Sequence, residues 1–149
     1  MNNQEVYAST LALKTFRTLL AIICNFDWIT LQLDAVNAFV HVLIDQLVHV
    51  ALPPGLEGTG NVLQLLRALY GLRTSPLLWL KDLISTMRRL DFVEVPDDPC
   101  LFVHNSKPIM VFFYVDDIVL TSPEDLRQEL YHIRDQLMKS YEIREIGPL

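Results

Sequence analysis

The stretch Val111-Phe112-Phe113-Tyr114-Val115-Asp116-Asp117-Ile118-Val119-Leu120 sets two adjacent carboxylates among apolar and aromatic residues. Buried and unpaired, two such groups would be strongly unfavourable and would tend to take up a proton. A tight turn that lifts both to the tip of a hairpin resolves the conflict, because there they can be solvated or bind a cation. Asp-Asp is a poor choice for a two-residue hairpin turn made for folding alone, since neither residue takes positive φ as readily as glycine. Taken alone, the pair still reads first as a solvated acidic turn. Asp34 is a third carboxylate, and it ends the apolar run Ile29-Thr30-Leu31-Gln32-Leu33. If residues 29–34 and 109–121 are neighbouring strands, three carboxylates converge at one edge. Such a cluster suits Mg²⁺, a hard ion held by a few carboxylates together with substrate phosphates. Two ions about 3.5–4 Å apart activate an attacking hydroxyl and stabilise a leaving group. Asp34 standing alone would be an ordinary strand-end cap.

The elements that must position these residues are legible in part. Leu11–Asn25 is apolar enough for a buried core helix, with Ser9 or Thr10 available as N-cap. Lys14 and Arg17 interrupt it, and a membrane helix needs about 20 predominantly apolar residues. Residues 29–34 alternate as a strand does, and Leu47–Leu52 is a second strand, stopped by Pro53-Pro54-Gly55. Gly58-Thr59-Gly60-Asn61 is a loop, and Val62–Tyr70 suits helix or strand equally. Ser75-Pro76 is a helix start, a capping hydroxyl followed by proline, for a helix to about Leu90 that buries Trp79, Leu83, Ile84, Met87 and Leu90. Cys100–His104 and Ile109–Tyr114 form a hairpin, and Ile118–Thr121 follows the aspartates. Ser122-Pro123-Glu124-Asp125 begins a last helix with Leu126, Leu130, Ile133 and Leu137 on one face. The fold class expected is α+β, an antiparallel sheet with helices packed on one face.

Composition bounds the rest. The chain has 149 residues, enough for one domain with a real core, and is 51% hydrophobic, which excludes disorder. Mean hydropathy is +0.27, high for a small soluble domain, so apolar surface is expected to meet a partner or a larger assembly. The first ten residues are polar, unlike a secretory leader, and the expectation is an intracellular protein of cytoplasm or nucleus, not secreted and not membrane-bound. Cys24 and Cys100 lie far apart in apolar surroundings and read as buried thiols. The net charge of −6 opposes binding of phosphates over the surface as a whole. Between Glu57 and Leu90, however, Arg67, Arg73, Lys81, Arg88 and Arg89 face only Glu57 and Asp82. The histidines at 41, 49, 104 and 132 make no ligand pattern, and Trp79 reads as core.

Four motifs in order make the resemblance specific. Tyr114-Val115-Asp116-Asp117 between apolar strands resembles the signature of reverse transcriptases. Leu33-Asp34-Ala35-Val36-Asn37-Ala38-Phe39 resembles the first-aspartate motif of the copia-type retrotransposon branch, and Val50-Ala51-Leu52-Pro53-Pro54-Gly55 resembles its Pro-Pro-Gly turn. Ala68-Leu69-Tyr70-Gly71-Leu72-Arg73-Thr74-Ser75-Pro76-Leu77-Leu78-Trp79 is similar to the branch's most distinctive block. The resemblance covers about residues 7–149 and implies residues 1–149 as one partial reverse transcriptase domain, palm plus part of the fingers, with the fingers incomplete and the thumb absent. It implies an RNA-directed DNA polymerase that joins deoxynucleotides to a primer 3′-hydroxyl on an RNA template, with two Mg²⁺ ions (Mn²⁺ as a substitute).

Carried over by position, Asp34 and Asp116 hold the ions, Asp117 supports the site, and the Ala35 carbonyl is a further ligand. Phe39 falls at the steric-gate position, where an aromatic ring rejects a 2′-hydroxyl; its alternative is a core phenylalanine. Tyr70, Gly71 and Arg73 fall where the nucleotide and template are cradled, Arg73 being equally a solvated turn residue. Tyr114 and Val115 fall beneath the primer terminus. Integrase and RNase H segments are the expected neighbours in the polyprotein. Two departures stand out: Val40–Leu47 is more apolar than the family pattern, and the chain stops at Ile146-Gly147-Pro148-Leu149, where the family continues into a primer-positioning strand. They leave open a truncated, non-catalytic remnant or repurposed interaction module that keeps the fold, alongside an unrelated α+β domain with a chance Asp-Asp hairpin.

Overall fold

The computed structural model describes residues 11–55, 62–96 and 98–149. Helix α1 (Leu13–Phe26) precedes strand β1 (Ile29–Ala35) and a 3₁₀ turn (Ala38–His41). Short strands β2 (His49–Ala51) and β3 (Val62–Gln64) lead to helix α2 (Ser75–Arg89). Strands β4 (Phe92–Val95), β5 (Asp98–His104), β6 (Met110–Tyr114) and β7 (Asp117–Ser122) follow, then a 3₁₀ turn (Glu124–Leu126), helix α3 (Arg127–Ser140) and strand β8 (Ile143–Gly147). The class is α+β, with a sheet of order β4-β5-β6-β7-β1-β8 and a separate β2-β3 ribbon. Its pairings are antiparallel throughout.

Period-two alternation sorts the strands onto two faces. Leu31, Leu33 and Ala35 of β1, Val111 and Phe113 of β6, and Ile118 and Leu120 of β7 point to one face, where Leu83 and Met87 of α2 and Leu130, Ile133 and Leu137 of α3 bury against them. These two helices cover the one face expected of them. Helix α1 lies on the other, where Leu19 and Ile23 pack on Leu101, Phe112 and Val119. Phe16 meets Phe112 edge-on, with ring centroids 5.9 Å apart. The expectation of a buried core helix is corrected here. Only Leu19 and Ile23 of its 14 residues are buried, and Leu13 (63%) and Phe26 (64%) stand exposed. The helix touches a single strip of sheet and is amphipathic, with Lys14, Arg17, Thr18 and Asn25 exposed on its outer side.

Helix starts differ from the simple capping reading. Ser9 and Thr10 lie outside the described residues, as does the Gly58–Asn61 loop; the N-cap of α1 is Ala12. Thr74 is the N-cap of α2, and Ser75 is its first helical residue, fully buried. The Ser75 Oγ donates to the Leu69 carbonyl (2.7 Å) and accepts from the Leu69 N–H (3.1 Å), so the serine ties helix to preceding loop instead of capping it. Ser122 closes β7, and a 3₁₀ turn intervenes before α3. The ambiguous run 62–70 yields only the three-residue β3. The expected hairpin is β5-β6, with Leu101 opposite Phe112.

Cys100 is buried, as expected, but Cys24 is exposed on the outer side of α1. Burial first, and the charge of Asp98 second, push the Cys100 thiol up to about 12. Iodoacetamide at mildly alkaline pH is therefore expected to label Cys24 in the folded chain and Cys100 only after denaturation, as read by mass spectrometry. A thiol pKa raised in the folded state gives a contribution present below the unfolded thiol range and lost as pH rises from there toward 12.

Candidate active site

Register brings the acidic residues together. In the β1-β7 pair Asp34 lies opposite Asp117, and in β6-β7 Tyr114 lies opposite Asp117. Val115 and Asp116 are thus the two turn residues, whereas Asp117 opens β7, which corrects the expectation that both aspartates form the tip. Positive φ falls on Val115 (+58°), a β-branched residue for which this region costs about 1–2 kcal/mol. Two bonds hold the turn in that shape. Trp79 Nε1–H donates to the Val115 carbonyl at 2.7 Å, and the Ala35 N–H donates to the Asp116 carbonyl at 2.9 Å.

Asp34 alternates with Leu33 and Ala35, so it faces away from α2 and α3, on the face it shares with Asp117 and Tyr114. Directly opposed antiparallel residues have Cβ atoms about 4.5–5.5 Å apart, and like charges in that position repel. Gln32 Nε2 donates to Asp117 Oδ1 at 3.4 Å from the same face of β1. Tyr70 donates its hydroxyl to Asp116 Oδ2 at 3.4 Å. Burial raises the Tyr70 pKa, and the charge of Asp116, their hydrogen bond and the charge of Asp34 raise it further. One phenol therefore senses two of the three carboxylates. Among the described residues none of the three aspartates has an ion-pair partner. Nor, among those residues, are three or more His, Cys, Asp or Glu side chains gathered closely enough to hold an ion.

The other candidate positions divide. Phe39 is buried (5%) in the core beneath Tyr70, with ring centroids 4.4 Å apart. Gly71, at φ +93°, sits where an L side chain would be strained, in the turn closed by the Leu72 N–H to the Leu69 carbonyl (3.2 Å). Arg73 is exposed; Tyr114 is exposed beside Asp117, and Val115 packs partly buried against the α2-α3 core. Ala35 is buried and paired with Ile143 of β8. Between the start of α1 and Asp117 lies a hollow of about 400 Å³ lined by Phe16, Gln32, Phe112, Tyr114 and Leu149.

Sequence reasoning missed the support behind the turn. His41, Trp79 and Tyr141 form an aromatic cluster, with Trp79 and Tyr141 edge-on at 4.9 Å and His41 and Tyr141 at 5.6 Å. His41 Nε2 donates to the Val36 carbonyl (3.0 Å), and Tyr141 donates to Asp82 Oδ2 (2.6 Å). Only Gln32 had a signal in the sequence, two positions before Asp34 on a strand.

An antiparallel sheet backed by two helices, with carboxylates on a hairpin turn and on the strand beside it, defines a polymerase palm-like domain. The reverse transcriptase (RNA-dependent DNA polymerase) family matches residues 1–149, and the chain belongs to it. Its relatives are copia-type Pol polyproteins. The retrovirus-related Pol polyprotein from transposon TNT 1-94 of Nicotiana tabacum is 25% identical over 97% of this chain and 11% of its own length. That from transposon RE2 of Arabidopsis thaliana is 28% identical over 95% of this chain and 10% of its own length. The putative transposon Ty5-1 protein of Saccharomyces cerevisiae is 27% identical over 77% of this chain and 38% of its own length. The chain spans about a tenth of the Pol polyproteins it matches.

Proposed function

We propose that this domain carries RNA-directed DNA polymerase activity, joining deoxynucleotides to a primer 3′-hydroxyl on an RNA template. The observation that supports this reading is the register of Asp34 opposite Asp117, with Asp116 on the adjoining turn; among the described residues none of the three is ion-paired, and the one cation in register with them, Arg144 of β8, lies opposite Asp34 on its other side. Opposed like charges destabilise a sheet by roughly 0.2–1 kcal/mol, so the arrangement is better explained by a bound cation than by folding. The donor set, hard carboxylate oxygens, fits Mg²⁺, with Mn²⁺ as a substitute. Asp34 and Asp116 would hold the two ions, with Asp117 and the Ala35 carbonyl in support. Bound there, the ions supply charge neutralisation at the reacting phosphate and activation of the attacking hydroxyl. The chain's own contribution is positional. The Trp79 and Ala35 bonds fix the turn, Tyr70 orients the Asp116 carboxylate, and Gln32 orients that of Asp117. Tyr70, Gly71 and Arg73 would cradle nucleotide and template, Phe39 would set the 2′-hydroxyl boundary, and Tyr114 and Val115 would support the primer end.

The test is extension of a DNA primer on an RNA template with Mg²⁺ or Mn²⁺. No incorporation with either ion would remove the catalytic reading for this chain. A second reading, a palm fold kept as an interaction module, is favoured by one observation: the Asp116 carboxylate is already engaged by Tyr70. Thermal denaturation separates the two. A ligand at about ten times its Kd adds roughly 1.4 kcal/mol, or about 3–6 °C for a domain of this size. Mg²⁺ or Mn²⁺ is expected to raise Tm by that amount in the native chain and not in an Asp34→Asn, Asp116→Asn variant. Equal shifts in both would place the ions elsewhere.

A further inference from the structure

On the solvent side of α2, across the sheet from the aspartates, the chain carries a basic stripe. Lys81, Ser85, Arg88 and Arg89 share one helical face at spacings of three, four and eight, and all four are exposed. Two shallow hollows, of about 590 and 610 Å³, run along this face and share Lys81 and Ser85. The second continues past Leu78 to His41 and Arg67. From Leu78 to Arg89 the helix alone spans about 16 Å.

The cations are set in place unequally. Arg67 Nη1 donates to the carbonyls of Val40 (3.2 Å) and His41 (2.9 Å), which fixes its guanidinium at one end. Arg89 is braced by Thr86 Oγ1 (2.8 Å). Arg88 is paired with Glu94 at 2.7 Å, and Lys81 makes no ion pair among the described residues. The acid within the stripe, Asp82, accepts from the Tyr141 hydroxyl at 2.6 Å. In a chain of net charge −6, four of the 12 basic residues are thus gathered on one helix face and its extension.

We propose that this stripe binds the phosphodiester backbone of a nucleic-acid strand, on the opposite side of the palm from the aspartates. The inference rests on the reading that the domain works on nucleic acid, but it assigns a contact outside the reaction site. A protein partner is disfavoured because protein interfaces are depleted of lysine, whereas here Lys81 stands where the two shallow hollows meet. Guanidinium and hydroxyl donors along a groove match a row of phosphate oxygens.

Fluorescence anisotropy of a labelled single-stranded oligouridylate, titrated with the chain in the absence of metal and nucleotide, tests it. Each phosphate contact on a single strand adds about 0.7 to the slope of log affinity against log salt. Lys81→Glu is expected to weaken binding about tenfold at low salt and to lower that slope by roughly 0.7, with Lys81→Arg restoring both. Glu94→Gln frees Arg88 and is expected to tighten binding severalfold while steepening the slope by a similar amount. Absence of binding by the native chain, or affinities unmoved by both charge changes, overturns the proposal. So does sedimentation showing that Lys81→Glu acts by dissolving a complex between copies. Binding of the expected pattern without primer extension would lose the polymerase reading alone; extension with binding blind to Lys81 and Glu94 would lose this one alone.

Discussion

Asp116→Asn is expected to reduce primer extension by at least on the order of a thousandfold, with the fold intact. Asparagine keeps the size of the side chain and can still accept the Tyr70 hydrogen bond, but it no longer offers the charge that neutralises a divalent ion. Loss of a preorganised charge at a reacting phosphate commonly costs two to three powers of ten, and metal ligands lie at the upper end. Stability moves the other way at Asp117. Asp117→Asn removes repulsion against Asp34, its register partner, keeps an acceptor for Gln32, and is expected to gain roughly 0.2–1 kcal/mol without metal, whereas Asp34→Asn would also lose the attraction of Arg144 opposite it on β8. That corresponds to an increase in Tm of up to about 4 °C for a domain of this size. Opposite movement of activity and stability is the mark of a site arranged for a cation. Single-turnover extension and calorimetry on both variants check it; an Asp117→Asn variant that melts lower would mean that Asp117 serves the fold and not a cation.

Trp79→Phe is expected to lose about 1–3 kcal/mol of stability and about ten- to a hundredfold in extension rate. The indole N–H is the donor to the Val115 carbonyl, and removing a donor leaves its acceptor unsatisfied at roughly that cost. The rate effect follows because that bond helps to hold Val115 at positive φ, and a shift of about 1 Å in catalytic groups costs about a hundredfold. Trp79 is 2% exposed and among the largest buried side chains, so phenylalanine, which keeps most of the packing, is the informative replacement; alanine would cost about 3–5 kcal/mol through the cavity alone. Val115→Gly supplies the second half of the experiment. With glycine the turn no longer resists its conformation, so the Trp79→Phe penalty is expected to shrink in the double variant by at least about 0.5 kcal/mol. Strict additivity, read from denaturant unfolding, would show that Trp79 acts on the core and not on the turn.

Local periodicity determined much of this molecule. Alternation in residues 29–34 and the apolar runs 109–114 and 118–121 specify strands, the spacing of Trp79, Leu83 and Met87 specifies a helix face, and two aspartates inside an apolar run specify a turn. These signals survive in one dimension because burial on a strand or helix repeats with the period of the backbone. The motifs around Asp34, Tyr70 and Asp116 likewise made the family legible.

What came only from the tertiary structure is who meets whom. Strand β1 lies between β7 and β8, so that Asp34 faces Asp117, and no periodicity in residues 29–34 names that partner. The turn falls on Val115-Asp116 because Tyr114 pairs with Asp117, a register set by the burial of Phe113 and Ile118 on the face of α2 and α3. Shifting by one residue would turn that whole set of side chains to the other face, so the core chooses the turn. Trp79 is distant in sequence from Val115, and only the packing of α2 against the sheet brings its indole N–H to that carbonyl. The outer face of α1 was legible in Lys14, Arg17 and Asn25, but that Leu19 and Ile23 would meet Leu101, Phe112 and Val119 was not. The sequence by itself determined the elements, the chemistry-bearing residues and the family; the register of a non-local sheet decided that Asp34 and Asp117 face each other across two strands beside a strained, clamped turn that carries Asp116.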